Sequence, residues 1–167
     1  MLPAALAVAI VYFTPVAHAA DEAKTKSMLS ASDKTFVKKA YKGGLSEVEN
    51  GKLAQEKAKD EATKKVAEQM VADHSKANDE LKKIADEEKL DLSGVSAKPM
   101  AISGDNFDKQ YLMMLQKEHG KDIAMFEKEA NDAKPGEDRD VPSFAKKTVP
   151  TLEEHLAMIN DALAKVK

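Results

Sequence analysis

Helical periodicity is the feature that most limits what this 167-residue chain can fold into. Apolar residues recur every three or four positions in four long segments, which is the spacing of one face of an α-helix. Ala, Lys, Glu, Met and Leu are abundant, while β-branched and aromatic residues are scarce, so intrinsic propensity also favours helix. The sequence therefore predicts an all-α four-helix bundle with a single core.

The first two predicted helices are separated by only a short break. The first is predicted to begin at a cap on Ser32 or Asp33 and to run to about Lys59. The second is predicted to follow from about Glu61 to Lys89.

A long connection is predicted between the second and third helices. Gly and Pro residues interrupt the segment from Leu90 to Asp105, which we interpret as a crossover. Asp105 or Asn106 is the predicted cap of the third helix, and Val141-Pro142 marks the start of the fourth. Pro150 lies inside this last helix and is expected to kink it or divide it in two.

The N-terminal segment has the pattern of a secretory leader. Leu2 to Val16 is almost wholly apolar and precedes Ala17-His18-Ala19, a small-x-small pattern typical of signal peptidase sites, although no Lys or Arg precedes the apolar run. An uncleaved anchor is the alternative, but the run is shorter than the roughly 20 residues that span a bilayer. The predicted organisation is a signal peptide over 1–19, a flexible mature N-terminus over 20–31, and a ferritin-like four-helix bundle over 32–167.

Composition limits which cellular compartments and which partners are expected for this chain. After residue 19 no apolar run approaches membrane-spanning length, so we expect no membrane span in the mature chain. The chain has no cysteine, which excludes disulfides, a lipid-modified cysteine and thiolate metal sites. The predicted location is the periplasm, with a secreted or outer-membrane-associated protein as the alternative. Charges of both signs mix evenly and no basic stripe appears, so no nucleic acid partner is expected.

The first predicted helix carries an acidic residue in the middle of its apolar face. Glu47 lies there among small neighbours, and a buried carboxylate without a partner is costly. Gly43, Gly44 and Gly51 occur in the same helix, where each glycine costs about 1 kcal/mol relative to alanine. Such a cost is explained if the glycines permit close helix approach or leave room for something.

Three of the four histidines directly follow an acidic residue, each pair in a different predicted helix. Asp73-His74 flanks the centre of the second apolar face, and Glu118 lies on the third face with His119 at its edge. Asp122 is one turn beyond Glu118, and His155 is central on the fourth face. The pattern predicts that acids and imidazoles meet at one level of the core.

Four separated motifs resemble the bacterial family known as domain of unknown function 4142. The resemblance covers about residues 32–164 and implies a ferritin-like four-helix bundle in an exported protein, without implying an activity. The motifs are Phe36-Val37 with Gly44-Leu45-x-Glu47, Met70-Val71-x-Asp73-His74 with Leu81, Tyr111 with His119 and Phe126-Glu127, and Thr148-x-Pro150-x-Leu152-x-x-His155-Leu156.

The ferritin-like comparison allows one test of chemistry. Di-iron bundles use Glu-x-x-His on two helices, but the residues three before these histidines are Val71, Gln116 and Leu152. The chain also lacks a nucleophile elbow and a phosphate-binding Gly-rich loop, so conventional catalysis is not expected.

Three functional hypotheses remain. A single zinc, copper or iron ion suits the acid and imidazole groups, with Glu47, His74, Glu118, His119 and His155 as candidate ligands and Asp73 and Asp122 as outer partners. Without metal, the same groups form a buried hydrogen-bond network that fixes helix register. In the third hypothesis Leu45 and Leu53 face a protein partner or a second copy of the chain. A stress-related role in the envelope rests on the resemblance alone.

Overall fold

The computed structural model describes residues 29–99, 102, 106–132 and 140–166. Four helices account for most of these residues, and no strand occurs in the described ranges. The helices are α1 (Ala31–Lys57), α2 (Glu61–Glu87), α3 (Phe107–Asn131) and α4 (Asp140–Leu163). The predicted all-α four-helix bundle is confirmed. The predicted signal peptide lies outside the described residues and stays a prediction.

The start of α1 differs from the prediction by two residues. Ser30, rather than Ser32 or Asp33, is the N-cap: its hydroxyl accepts a hydrogen bond from the Asp33 backbone at 3.1 Å. The Asp33 carboxylate accepts one from the Ser30 backbone at 3.0 Å, which completes a capping box. Leu29 is already buried in the core. The bundle therefore begins before the predicted boundary at residue 32.

Asp108 ties the two helical hairpins together at one end of the bundle. The predicted break between α1 and α2 is confirmed, with Asp60 as the N-cap of α2. The Asp108 carboxylate, in the first turn of α3, accepts hydrogen bonds from the backbone of Lys59 at 3.1 Å and of Asp60 at 2.9 Å. The α3 helix therefore starts beside the α1–α2 turn, and α2 and α3 run parallel.

Parallel α2 and α3 require a connection that returns along the length of the bundle. The described part of this connection passes beside the middle of α1, where the Lys98 backbone donates a hydrogen bond to the Ser46 hydroxyl at 2.8 Å. The long crossover predicted between helices 2 and 3 is thus confirmed. Ferritin-like folds are among the bundles with one such crossover, and a ferritin-like relationship stays a prediction.

The α4 helix is continuous through Pro150, so of the two predicted outcomes, a kink or a division into two pieces, the division is wrong. Proline removes one backbone hydrogen bond from a helix interior. Phe144 and Leu152, which lie on either side of Pro150, are buried in the same apolar cluster. Tertiary packing of both halves therefore outweighs the local cost.

A polar layer divides the core into two apolar clusters. One cluster, at the end where α1 begins, includes Phe36, Leu81, Phe126, Phe144 and Leu152. The other, at the opposite end, includes Ala54, Met70, Tyr111, Leu115 and Ile159. The buried residues between them are polar: Glu47, His74, His119 and His155. The acids and imidazoles of the sequence thus do meet at one level.

The glycines of α1 serve two different purposes. A Cβ atom on Gly44 would overlap the side chain of Asn78, and one on Gly51 would lie 2.7 Å from Val71 Cγ2. These two glycines allow α1 and α2 to approach closely. A Cβ atom on Gly43 would have nothing within 4 Å. Gly43 therefore leaves space open.

This difference predicts opposite effects for two neighbouring substitutions. Gly43→Ala should raise the free energy of unfolding by about 0.5–1 kcal/mol, because alanine favours helix and meets no neighbour. Gly44→Ala should lower it, because the added methyl group displaces Asn78. Urea denaturation of both variants and wild type measures the difference. Equal effects of the two substitutions would contradict this account.

A second prediction concerns pH. Burial, a hydrogen bond to Asp33 and the Asp33 charge raise the pKa of Glu129 from 4.5 to about 7. Because the pKa of Glu129 is higher in the folded than in the unfolded protein, its protonation adds to the free energy of unfolding. This contribution is complete below pH 4.5 and is lost as the pH rises through 7. Glu129→Gln should therefore raise the melting temperature relative to wild type at pH 8 but not at pH 4.5. Glu127→Gln, at an exposed neighbouring position, is the control and should change neither value.

Candidate metal centre

Each helix contributes one buried polar side chain to the middle of the core. Glu47 of α1 is 5 % exposed, His74 of α2 is 7 %, His119 of α3 is 0 % and His155 of α4 is 1 %. One ligand nitrogen from each histidine lies within 4.8 Å of those from the other two. Three imidazoles so placed could hold one metal ion.

Each histidine also has a partner on its outer side. His74 Nδ1 lies 3.0 Å from Glu47 Oε2, and His155 Nε2 lies 3.0 Å from Asp73 Oδ2. His119 Nδ1 lies 3.1 Å from the backbone oxygen of Leu115. Histidines that bind metals in proteins almost always donate their second N–H to such carboxylates or carbonyls.

The outer partners leave one nitrogen of each imidazole directed inward. These nitrogens are His74 Nε2, His119 Nε2 and His155 Nδ1. His119 Nε2 and His155 Nδ1 are 3.3 Å apart, and His74 Nε2 is buried without a hydrogen-bond partner. A buried, unpartnered polar atom is costly in a folded protein. The residues therefore fit a cation that three imidazole nitrogens share.

Counting protons shows that the metal-free arrangement is one proton short. The backbone oxygen of Leu115 and the Asp73 carboxylate are both acceptors, and the His119–His155 pair lies between them. Three hydrogen bonds along this line need three protons, whereas two neutral imidazoles carry two. One of the three contacts therefore lacks a proton whenever both imidazoles are neutral.

Burial keeps these imidazoles neutral at neutral pH. It lowers the pKa of His74 and of His119 to about 4, and it also lowers the pKa of His155. Burial raises the pKa of Glu47 to about 7, against the opposing effect of His119. Neutral imidazole is the form that binds metals, so the cluster is ready to act as a ligand set.

Asp73 is held as an anion at the edge of the cluster. Its burial acts to raise its pKa, but hydrogen bonds from Gln69 and His155 outweigh that effect and lower it. Asp73 thus serves His155 of α4 and not its neighbour in sequence, His74. Gln69, which sequence reasoning missed, stands four residues before Asp73, a spacing at which Gln and Asp side chains pair on a helix.

Glu118, predicted as a ligand, is not part of the cluster. Its carboxylate pairs with Lys121 at 2.7 Å, and its side chain is 38 % exposed. Successive helical residues point about 100° apart, so the inward direction of His119 turns Glu118 toward the surface. The predicted orientation of this pair was therefore reversed.

Asp122, predicted as an outer partner, lies beside the cluster. It lines a small cavity together with Glu47, His74 and Asn78. Burial and the charges of Glu47 and Glu118 raise its pKa to about 7. Sequence reasoning missed Asn78, which faces Gly44 and this cavity. It also missed the backbone oxygen of Leu115, because every residue has such an oxygen and the residue type does not indicate which one contacts a histidine.

A family comparison places the chain among known sequences. The family described as "Domain of unknown function (DUF4142)" matches residues 18–162. The chain belongs to this family. The family predicted from the four motifs is therefore confirmed. No curated protein matches the sequence of this DUF4142 protein.

A solved structure shares the fold. The protein is similar to a DUF305 fragment from Deinococcus radiodurans, with a TM-score of 0.69 and 11% sequence identity. The alignment covers 83% of this chain and 99% of that one. At this identity the likeness supports the four-helix fold and nothing further.

The surface of the described residues gives the partner hypothesis no added support. Leu45 and Leu53 of this DUF4142 protein are half-buried within the bundle. Met113 is the large hydrophobic residue that the described surface exposes, at 54%. No described helix is long and apolar enough to cross a lipid bilayer. A protein partner or homo-oligomer stays a prediction.

The missing proton leads to a prediction for Asp73→Asn. The new amide can donate to His155 Nε2 while the exposed Gln69 turns its oxygen inward, so all three hydrogen bonds form with two neutral imidazoles. At pH 7 we expect the free energy of unfolding of the metal-free variant to be about 1 kcal/mol higher than that of metal-free wild type. Asp79→Asn, at an exposed position of the same helix, is the control. Destabilisation by Asp73→Asn as large as that by Asp73→Ala would contradict the proton count.

Proposed function

We propose that this DUF4142 protein binds one transition-metal ion through His74, His119 and His155, and that it binds and releases this metal in the cell envelope. The observation that carries the proposal is that one ligand nitrogen from each of these three buried histidines lies within 4.8 Å of the other two. With both imidazoles neutral, the line of contacts from Leu115 through His119 and His155 to Asp73 is also one proton short. A cation held by His119 Nε2 and His155 Nδ1 would make up for that proton, and both outer N–H groups could then donate, to Leu115 and Asp73.

The ligand type narrows the identity of the ion. Three neutral imidazoles suit zinc, copper(II) and iron, whereas calcium and magnesium prefer oxygen ligands. Because Glu47 supports His74 from outside the three nitrogens, the site would offer an ion three protein ligands, a set that is typical of metals with a further position for an exchangeable group. That composition is typical of sites whose metal takes part in chemistry or exchange.

Placement in the envelope rests on the predicted leader. An apolar run followed by Ala17-His18-Ala19 supports export, and the absence of cysteine is compatible with an oxidising compartment. The absence of Glu-x-x-His before the histidines argues against di-iron chemistry. We therefore propose that the protein stores, buffers or transfers metal, and we prefer these roles to catalysis.

The competing proposal is a metal-free network that fixes helix register. The observation that favours it is that the Glu47 and Asp73 carboxylates contact His74 and His155 directly, each at 3.0 Å. The two proposals differ in what the histidine substitutions change. A network loses stability whether or not metal is present, whereas a metal site loses its metal.

Metal content and thermal melts distinguish the two. The full chain, expressed for export and purified without a His-tag or chelator, should contain about one equivalent of zinc, copper or iron and should melt at a higher temperature when that ion is added. His119→Ala and His155→Ala should lose the ion while circular dichroism shows helix content retained. Asp73→Ala should weaken binding by about 10–100-fold, because it removes the outer partner of His155.

Glu118→Gln is the matched control. It removes a carboxylate next to His119 in sequence but outside the cluster, so metal content should equal that of wild type. Wild-type protein that binds none of the three ions and shows no change in melting temperature would exclude the metal proposal. The buried network would then be the better account.

A further inference from the structure

The seam between α1 and α3, which borders the cluster, is less tightly packed than the α1–α2, α3–α4 and α2–α4 contacts. The α1 helix packs mainly against α2, and α3 mainly against α4, while α1 and α3 touch far less extensively. A groove of about 390 Å³ lies along this seam. Its floor includes Glu47, which is itself part of the buried polar layer.

A second, smaller cavity lies on the inner side of the same residues. It has a volume of about 20 Å³, enough for one water molecule. His74 and Asn78 line it, so it reaches the histidine cluster. Gly43, Glu47 and Asp122 line both the groove and the cavity. These three residues therefore separate solvent from the cluster.

Gly43 leaves this boundary open. It lies inside a helix, where glycine is disfavoured, yet a Cβ atom there would meet nothing within 4 Å. Gly44 and Gly51, in contrast, are explained by close contact with α2. Close packing cannot explain Gly43, and a long side chain at this position would occupy the space between groove and cavity.

Glu47 presents an unpartnered carboxylate oxygen at the same place. Glu47 Oε1 lies 3.3 Å from His119 Nδ1 but receives no hydrogen bond, because that N–H is directed to Leu115. The side chain is 7 % exposed, so the oxygen has been removed from water without a hydrogen bond in return. A cation passing from groove to cavity would meet this oxygen and the Asp122 carboxylate.

The charges around the groove are divided by depth. Lys39, Lys42 and Lys98 line the outer groove, and Lys121 is paired with Glu118. None of these lysines lines the inner cavity, whose titratable residues are Glu47, His74 and Asp122. The inner boundary therefore presents carboxyl oxygens and no lysine, a set of groups that favours a cation over an anion.

We propose that this seam is the entrance to the histidine cluster, through which a divalent cation that has shed its hydration shell passes between Gly43, Glu47 and Asp122. The inference rests on the proposed metal site and adds to it a route for the ion and the expectation that the bound ion exchanges with solvent. An ion with an open route from solvent exchanges, whereas an ion enclosed by packed helices is retained until the protein unfolds. The entrance therefore points to a protein that accepts and gives up metal.

Kinetics of cobalt(II) loading test the route separately from the site. Metal-free full-length protein is mixed with cobalt(II) in a stopped-flow instrument, and its visible absorption reports binding to the imidazoles. Release is followed after addition of a chelator. Gly43→Leu should slow both loading and release by about tenfold or more while leaving the dissociation constant unchanged, because both directions use the same opening.

Two substitutions at glycine provide matched controls. Gly43→Ala adds too little volume to close the opening and should load at nearly the wild-type rate. Gly120→Leu makes the same change at an exposed glycine of α3 that also has open space around it but does not line the groove. It should likewise load at the wild-type rate.

Asp122→Asn tests the route without adding bulk. It should slow loading and reduce the dependence of the loading rate on salt, because it removes a carboxylate that attracts the cation. This variant keeps the test decisive if Gly43→Leu does not fold. Loading of both variants at the wild-type rate would overturn the entrance and leave the metal site standing. Failure of wild-type protein to bind cobalt(II) or any other ion would overturn both.

Discussion

The register between the two helical hairpins is the constraint on which the rest of the structure depends. Asp108 sets it by accepting backbone hydrogen bonds from Lys59 and Asp60, so that α3 begins level with the α1–α2 turn. From that starting point, His74 and His119 lie at similar distances along parallel helices. A shift of one helical turn, about 5.4 Å, would separate the imidazoles beyond any shared ligand. The polar cluster is thus a product of how α3 is anchored at its first turn.

The polar layer is difficult to explain as a source of stability. Two apolar clusters already hold the bundle on either side of it. Burying charged or partly charged groups costs desolvation free energy that their mutual attraction often fails to recover. His74 Nε2 and Glu47 Oε1 lack hydrogen bonds in this layer, and the line of contacts through neutral His119 and His155 is one proton short. Such deficits are costly in a purely structural network, and the proposed metal site would account for them.

The sequence predicted the helices well because caps and apolar periodicity are local signals. It placed the α1–α2 break and the long crossover correctly, and it identified Glu47, His74 and His155 as members of the core. It failed where tertiary packing decides. Pro150 signals a break, but burial on both sides of it keeps α4 intact. The choice between Glu118 and His119 depends on about 100° of helix rotation, and the i,i+3 pairing of Glu118 with Lys121 lets the carboxylate stay at the surface.

Pairings between helices were beyond local signals altogether. The sequence places Asp73 beside His74, yet its carboxylate serves His155, which is 82 positions further along the chain. Gly43 and Gly44 are equivalent in sequence, and only the position of α2 shows that one is packed and the other open. Spatial neighbours of this kind follow from the assembled bundle.

The four residues of the polar layer are divided equally between the two hairpins. Glu47 and His74 belong to the first, and His119 and His155 to the second, so neither hairpin contains a complete set. Whatever binds at this layer therefore also cross-links the halves of the bundle, across an interface where α1 and α3 are only loosely packed. An ion bound at this layer would therefore also make the whole bundle more rigid. A partner that binds only the rigid bundle would in this way distinguish the occupied protein from the empty one.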